Sequence, residues 1–299
     1  MNRSFTGSLI HTSLIAIVSA LPANHDSYFI SRDAPTIRLQ VSMNPEFLAI
    51  GVSLLLLTGI FIFIDLGFRF GRRRKTHDPE AASGSSTIEA AVFGLLGLTL
   101  AFTFAGAADR FAIRRDQIVQ EANTIGTAYL RLDLLPTEDQ PAIRALFRQY
   151  LETRIEVYDK FTDRAASSAA LNKGNQLQRE IWTRCVAATQ KAPRPEPGLL
   201  LLQALNEMID MTTTRTMAAL IHAPIVVTGL LVVLSLFGAL LAGFAMSAQP
   251  RRNLLHQILF GLAITCTIYV VLDLEYPRIG LINLTSIDRV IVDLREMMK

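Results

Sequence analysis

Residues 88–111, IEAAVFGLLGLTLAFTFAGAADRF, decide how this chain folds. From Ile88 to Ala108 the only charge is Glu89, close to one end. A helix needs about 20 apolar residues to cross about 30 Å of hydrocarbon, so the segment reads as a membrane span. No Pro interrupts it before Asp109-Arg110-Phe111 or on to Tyr129, and one long helix is expected to leave the membrane. At about 100° per residue, Ala90, Gly94, Gly97, Ala101, Ala105 and Ala108 share one face. Such a small-residue stripe allows close helix contact, and Gly94, Gly97, Ala101 and Ala105 are the expected packing residues. Thr99, Thr103, Gly106 and Arg110 form a more polar stripe roughly half a turn away. Leu98 and Phe102 lie between the two. A helix that packs against neighbours while lining a cavity has this pattern, which makes Leu98, Phe102, Thr99, Thr103 and Arg110 candidate pore-lining residues. Alternatively, Thr99 and Thr103 bond only their own backbone carbonyls.

Working outward, three more apolar runs are long enough to span: about 47–68, 225–246 and 254–272. Between the second and third lies an amphipathic, helix-patterned stretch, about 109–216. The expected fold is an all-α integral membrane protein with four transmembrane helices and an inserted helical domain between the second and third. Within that domain Leu134-Leu135-Pro136 ends one helix, and Thr137 with Gln140 suggests a capping box for the next. Ile143, Leu146, Phe147, Tyr150, Leu151, Ile155 and Tyr158 then fall on one face. A further helix is expected over Leu171 to Lys191, ended by Pro193, Pro195 and Pro197. Another starts near Leu199, carries Asn206, Glu207, Asp210 and Arg215, and is expected to kink at Pro224. The tail from Leu281 to Lys299 reads as one amphipathic helix. Residues 1–42 show no periodicity. They read as a signal-like or non-structural extension ahead of 43–299, either a signal cut after Val18-Ser19-Ala20 or sequence preceding a start at Met43.

The composition agrees with a membrane protein: 51% of the 299 residues are hydrophobic and 18% charged, against about 25% charged in soluble proteins. A net charge of +3 is too small to point to nucleic acid. Two cysteines, Cys185 and Cys266, supply neither a disulfide framework nor metal spacing. No phosphate-binding loop, zinc-protease helix or nucleophile elbow is present, so neither an enzyme nor a cofactor is expected. His222 beside Pro224 reads as a proton group at the membrane edge or as a packing residue. Asp273 and Glu275 read as cation ligands or, by preference, as solvated charges ending a helix.

Arg72-Arg73-Arg74-Lys75 follows the first span and Arg251-Arg252 the third. Basic short loops stay in the cytoplasm, which would put the inserted domain and both termini on the other side of a bacterial inner membrane. The domain's 15 basic and 14 acidic residues barely bear on this. Arg110, Arg114 and Arg115, just past the second span, favour the opposite orientation.

Gly97-Leu98-Thr99-Leu100-Ala101-Phe102, Asp109-Arg110-Phe111 and Arg114-Arg115 resemble the second-helix signature of bacterial bestrophins. Leu274-Glu275-Tyr276-Pro277-Arg278-Ile279-Gly280 is similar to their acidic-Pro-Phe-Gly stretch. Glu121-Ala122-Asn123, Tyr129-Leu130-Arg131 and Asp273-Leu274-Glu275 look closer still to the bestrophin-like family of bacterial membrane proteins. The resemblance covers about 45–299. It implies a pentamer whose second helix lines a narrow apolar neck at Leu98 and Phe102, with chloride or another small anion as the permeant ion. It also implies a cytoplasmic inserted domain, against the loop charges. Phe111 and Ala112 stand where bestrophins have a Trp pair. Two functions follow as expectations: an oligomeric anion channel of bestrophin-like architecture, or a membrane-anchored interaction or sensory protein that conducts nothing. Lipid and further copies of the chain are the expected partners.

Overall fold

The computed structural model describes residues 45–77, 85–249, 252–278, 280–282 and 284–299. The expectations for 1–42 lie outside these residues. The regular elements among the described residues are all helices: α1 Pro45–His77, α2 Ser85–Leu130, a 3-10 turn Arg131–Leu134, α3 Gln140–Asp159, α4 Arg164–Lys191, α5 Glu196–Leu220, α6 Ile225–Met246, α7 Leu254–Glu275 and α8 Thr285–Met297. Four helical stretches are long and apolar enough to cross a membrane: Ile50–Arg74, Thr87–Leu134, Glu196–Met246 and Leu254–Glu275. In the second, the uncharged run ends at Ala108. In the third, it is α6. The chain divides into two compact units, one of Met1–Asp109 with His222–Leu281, the other of Arg110–Ile221 with Ile282–Lys299.

In the first unit the tightest packing joins α1 to α6. A Cβ on Gly67 would overlap the Leu240 carbonyl oxygen and lie 2.9 Å from its carbon. A Cβ on Gly243 would overlap the Ile64 oxygen and lie 2.9 Å from the Ile64 Cα. Gly67 with Gly71, and Gly243 with Ser247, are pairs of small residues four apart, the spacing that lets two backbones touch in lipid. Leu56, Ile60, Ile64, Leu231, Val232, Leu236 and Ala239 fill the seam around them. α7 lays Gly261 against α1, where an added Cβ would meet Leu57, Ile60 and Phe61 at 3.3–3.5 Å. Arg252, at the start of α7, reaches back to Asp65 of α1 at 2.7 Å and lies over the Phe68 ring at 4.2 Å.

The second unit has its own core, with Ile118, Ile125, Phe147, Tyr150, Ile181, Leu205 and Met208 all buried. Burying each large apolar side chain contributes roughly 1.5–3 kcal/mol, and the stripe predicted along α3 supplies six of the buried residues. The capping box is a correction. Asp139 is the N-cap and makes no side-chain capping bond, while Gln140 Nε2 turns away to the Leu135 carbonyl at 2.9 Å. Pro141 already occupies the first turn, where a missing N–H costs nothing. α4 begins seven residues before the expected Leu171. Asp163 caps it through Ala165 N and Ala166 N, both at 3.0 Å. Its first turns are alanine and serine, which propagate a helix without showing apolar periodicity. α5 starts at Glu196, with Pro197 in its first turn, and the chain is non-helical over 221–224 rather than kinked, as a residue preceding Pro avoids the helical region. The tail forms α8, which buries Leu284, Ile291 and Met298 against the unit. Arg295 fixes it to Glu152 at 2.8 and 2.5 Å. Tyr129 Oη and Arg148 donate to the Met298 carbonyl at 3.1 and 3.2 Å.

Candidate functional site

The membrane half of α2 touches its own unit along one narrow face. Phe93 and Leu96 reach Gly238 of α6, and Phe93 meets the Phe260 ring edge-on at 6.1 Å between centroids. Thr103 and Ala107 are buried. The opposite face is open: Phe102 is 69% and Leu98 53% exposed. Gly94 and Gly97 would meet nothing within 4 Å if given a Cβ, and Ala101 and Ala105 are exposed beside them. The small stripe and the two bulky residues therefore share one uncovered sector, with Leu98 and Phe102 about 40° apart. The polar stripe turns the other way. Thr99 Oγ1 bonds the Leu95 carbonyl at 2.8 Å and Thr103 Oγ1 the Thr99 carbonyl at 2.6 Å, the self-satisfied alternative for threonine in a membrane helix. Arg110 is half-buried and engaged by a neighbour. Of the five candidate lining residues the fold thus presents Leu98 and Phe102 together and takes Thr103 into its own packing.

At the end of α7 the expected solvated carboxylates are buried, which corrects the sequence reading. Asp273 is 4% and Glu275 5% exposed. Glu275 Oε1 accepts from Ala223 N at 2.6 Å, so the carboxylate satisfies a backbone donor freed by the break before α6. His222 stacks on Tyr276 at 4.5 Å, which makes it a packing residue here. After Pro277 the chain folds back so closely that a Cβ on Gly280 would fall on Asp273 Oδ1.

The second unit carries a charge cluster that was not foreseen. Glu121 of α2 is fully buried, and its Oε1 takes Arg154 Nε at 2.5 Å. Its Oε2 pairs with Arg215 Nη1, and Arg215 Nη2 reaches Asp288 Oδ1 of α8 at 3.1 Å. The Tyr158 hydroxyl donates to Glu121 Oε2 at 3.3 Å, and Arg215 lies over that ring at 3.6 Å. Two guanidiniums and two carboxylates thus join four helices. Burial works to raise the Glu121 carboxyl. Arg154 and Arg215 outweigh it and hold the group below its ordinary 4.5. Beside this, Gln178 Nε2 donates to Tyr150 Oη and Thr212 Oγ1, both at 3.0 Å. The signal for the cluster was available. Arg154 lies four residues from both Tyr150 and Tyr158 on the apolar face of α3, and an arginine there requires a buried counter-charge.

The Glu121 motif, the buried acidic turn after α7 and the open face of α2 all sit on segments that carry the bestrophin resemblance, and a model of the Bestrophin-like domain matches residues 54–286. The chain belongs to the bestrophin-like family. No curated protein and no solved structure matches it. For a bestrophin-like membrane protein the cluster at Glu121 holds a helical unit together, and the open face of α2 is among the apolar surfaces its own unit leaves uncovered.

Proposed function

We propose that this bestrophin-like protein is a homo-oligomeric channel of a bacterial inner membrane, a pentamer by family resemblance. In this reading the second helices surround an axial pore, and Leu98 and Phe102 form its neck. The observation that carries it is the uncovered sector of α2. Leu98 and Phe102 project from a face whose neighbours have almost no side chain: Ala101 and Ala105 are exposed, and an added Cβ on Gly94 or Gly97 would meet nothing within 4 Å among the described residues. Lipid tails pack as well against leucine as against glycine. A second backbone gains more from glycine, because it can approach closely. Rings of Phe102 and Leu98 would form an apolar constriction of the kind that gates by dewetting. In this reading Thr103, buried in its own unit, stands outside the lining. The unit of Arg110–Ile221 with Ile282–Lys299 would be the inserted domain of the family. The basic loops after the first and third spans favour a location for it outside the cytoplasm.

The test is purified full-length protein in liposomes, with oligomer mass in detergent measured alongside. Phe102→Ala is expected to raise ion flux at unchanged mass. Gly97→Leu is expected to break the oligomer by overpacking. Stable oligomers that pass no ion, in either wild type or Phe102→Ala, would refute the channel and leave a membrane-anchored interaction or sensory protein.

A further inference from the structure

Three helix ends of the first unit meet among arginines. The last turns of α1 and α6 touch where a Cβ on Gly71 would overlap Ser247 Oγ, and the start of α7 joins them through Arg252. Asp65 Oδ2 takes Arg69 Nε at 2.6 Å, and Asp65 Oδ1 takes Arg252 Nη2 at 2.7 Å. Beside this pair the buried Phe68 ring carries two guanidiniums, Arg72 at 4.9 Å and Arg252 at 4.2 Å from its centroid. At about 100° per residue Asp65, Phe68, Arg69 and Arg72 share one face of α1, and Arg74 lies on the opposite one. Among the described residues of these three ends, Arg69, Arg72, Arg73, Arg74 and Arg252 are all exposed, and Asp65 is the one carboxylate. The positive charge is therefore far from balanced by the protein itself. Directly below Arg252, Leu254, Leu255, Ile258 and Leu259 are exposed along the first two turns of α7. Ordered cations above an open apolar wall match the two halves of an anionic lipid.

We propose that this end of the first unit binds an anionic phospholipid, with Arg72 and Arg252 on its phosphate and its acyl chains along Leu254, Ile258 and Leu259. Basic side chains set between membrane helices at the headgroup level recognise such lipids. Arginine suits the task because its planar fork meets two phosphate oxygens at once. Asp65 holds one edge of Arg252, and the Phe68 face holds the planes of Arg72 and Arg252. The donors are thus ordered before the lipid arrives, which lowers the cost of binding it. A zwitterionic headgroup carries its own cation beside the phosphate, which these arginines repel. The inference needs only that α1 and α7 span a membrane, and it stands apart from the pore reading of α2.

The experiment titrates purified full-length protein in neutral detergent with dioleoylphosphatidylglycerol or dioleoylphosphatidylcholine. Native mass spectrometry counts the bound lipid, and thermal unfolding is the control for folding. The anionic lipid is expected to bind about twentyfold more tightly than the choline lipid. Arg72→Gln and Arg252→Gln should each weaken it by about fivefold, the effect of one basic side chain near a charged surface, and leave the choline lipid unchanged. Arg74→Gln removes the same charge from the opposite face of α1 and should change little. Where Arg252→Gln lowers Tm through its lost bond to Asp65, Arg72→Gln carries the comparison. Equal losses in Arg72→Gln and Arg74→Gln would overturn the site and leave only diffuse surface charge. Equal affinity for the two lipids would overturn the headgroup chemistry. Inorganic phosphate that displaces the anionic lipid at matching concentration would overturn the lipid and assign the arginines to a free anion.

Discussion

Replacing Glu121 by Gln keeps the shape of the side chain and removes its charge. In the folded protein Glu121 is fully buried between Arg154, 1% exposed, and Arg215, 5% exposed. Without it the two guanidiniums share one carboxylate of the cluster, Asp288, which pairs with Arg215. Arg154 is left as a buried cation whose remaining close partner is the Tyr158 hydroxyl. Breaking a buried ion pair from one side costs about 3–5 kcal/mol, a large part of the roughly 5–15 kcal/mol that stabilises a domain. For a unit of about 130 residues each kcal/mol moves Tm by about 3–5 °C, so a fall of roughly 10–20 °C is expected. Cys185, buried in the same unit, reports unfolding when it becomes reactive to a thiol dye in a Cys266→Ser background. Adding Arg154→Met to Glu121→Gln leaves the Arg215–Asp288 pair balanced and should recover part of the loss. The pH dependence has a definite sign. Because the carboxyl is depressed in the fold, its contribution is complete above its ordinary 4.5 and disappears as pH falls through the lower folded value. The gap between wild type and Glu121→Gln should therefore be constant near neutrality and close on acidification below 4.5. A Glu121→Gln protein within about 3 °C of wild type would refute the account of the cluster.

Gly243→Ala should weaken the α1–α6 contact by about 1–3 kcal/mol and lower membrane yield, because its Cβ would overlap the Ile64 backbone, whereas Gly94→Ala should leave the monomer's stability unchanged. Cys185 should resist maleimide at pH 8 in the native protein and react only on denaturation, since burial pushes its thiol up to about 12 and leaves about one molecule in ten thousand as thiolate. Asp288→Asn should destabilise the second unit by less than Glu121→Gln does, as Arg215 keeps its bond to Glu121. Thermal unfolding by the same Cys185 readout gives the comparison, and an equal loss in the two variants would contradict it.

The membrane helices were legible because hydrocarbon thickness sets a length that sequence shows directly. α6 begins and ends where the apolar run does. The buried face of α3 was equally plain from Ile143, Phe147 and Tyr150. What escaped was pairwise. Gly67 and Gly243 are unremarkable in two separate apolar runs, and only the fold reveals that each lies on the other helix's backbone. Glycine in α2 drew attention instead, yet an added Cβ on Gly94 or Gly97 would meet nothing within 4 Å among the described residues. Asp273 and Glu275 looked like the solvated end of a helix because the chain that lies against Asp273 at Gly280, and the Ala223 amide that Glu275 accepts from, come from segments that leave and return. Thr99 and Thr103 form a polar stripe on paper, but each hydroxyl is satisfied by the carbonyl four residues before it.

The glycine contact between α1 and α6 also sets an order of synthesis. Gly67 and Gly243 are about 175 residues apart, and at about 5–20 residues per second the ribosome needs roughly 10–35 s to pass from one to the other. For that interval the first helix lies in the bilayer with its groove unfilled. Chains that stop before the third span are thus left with an unmatched groove that membrane quality control can recognise. Their half-life, compared with that of chains carrying the third span, would show how strongly survival depends on this one late contact.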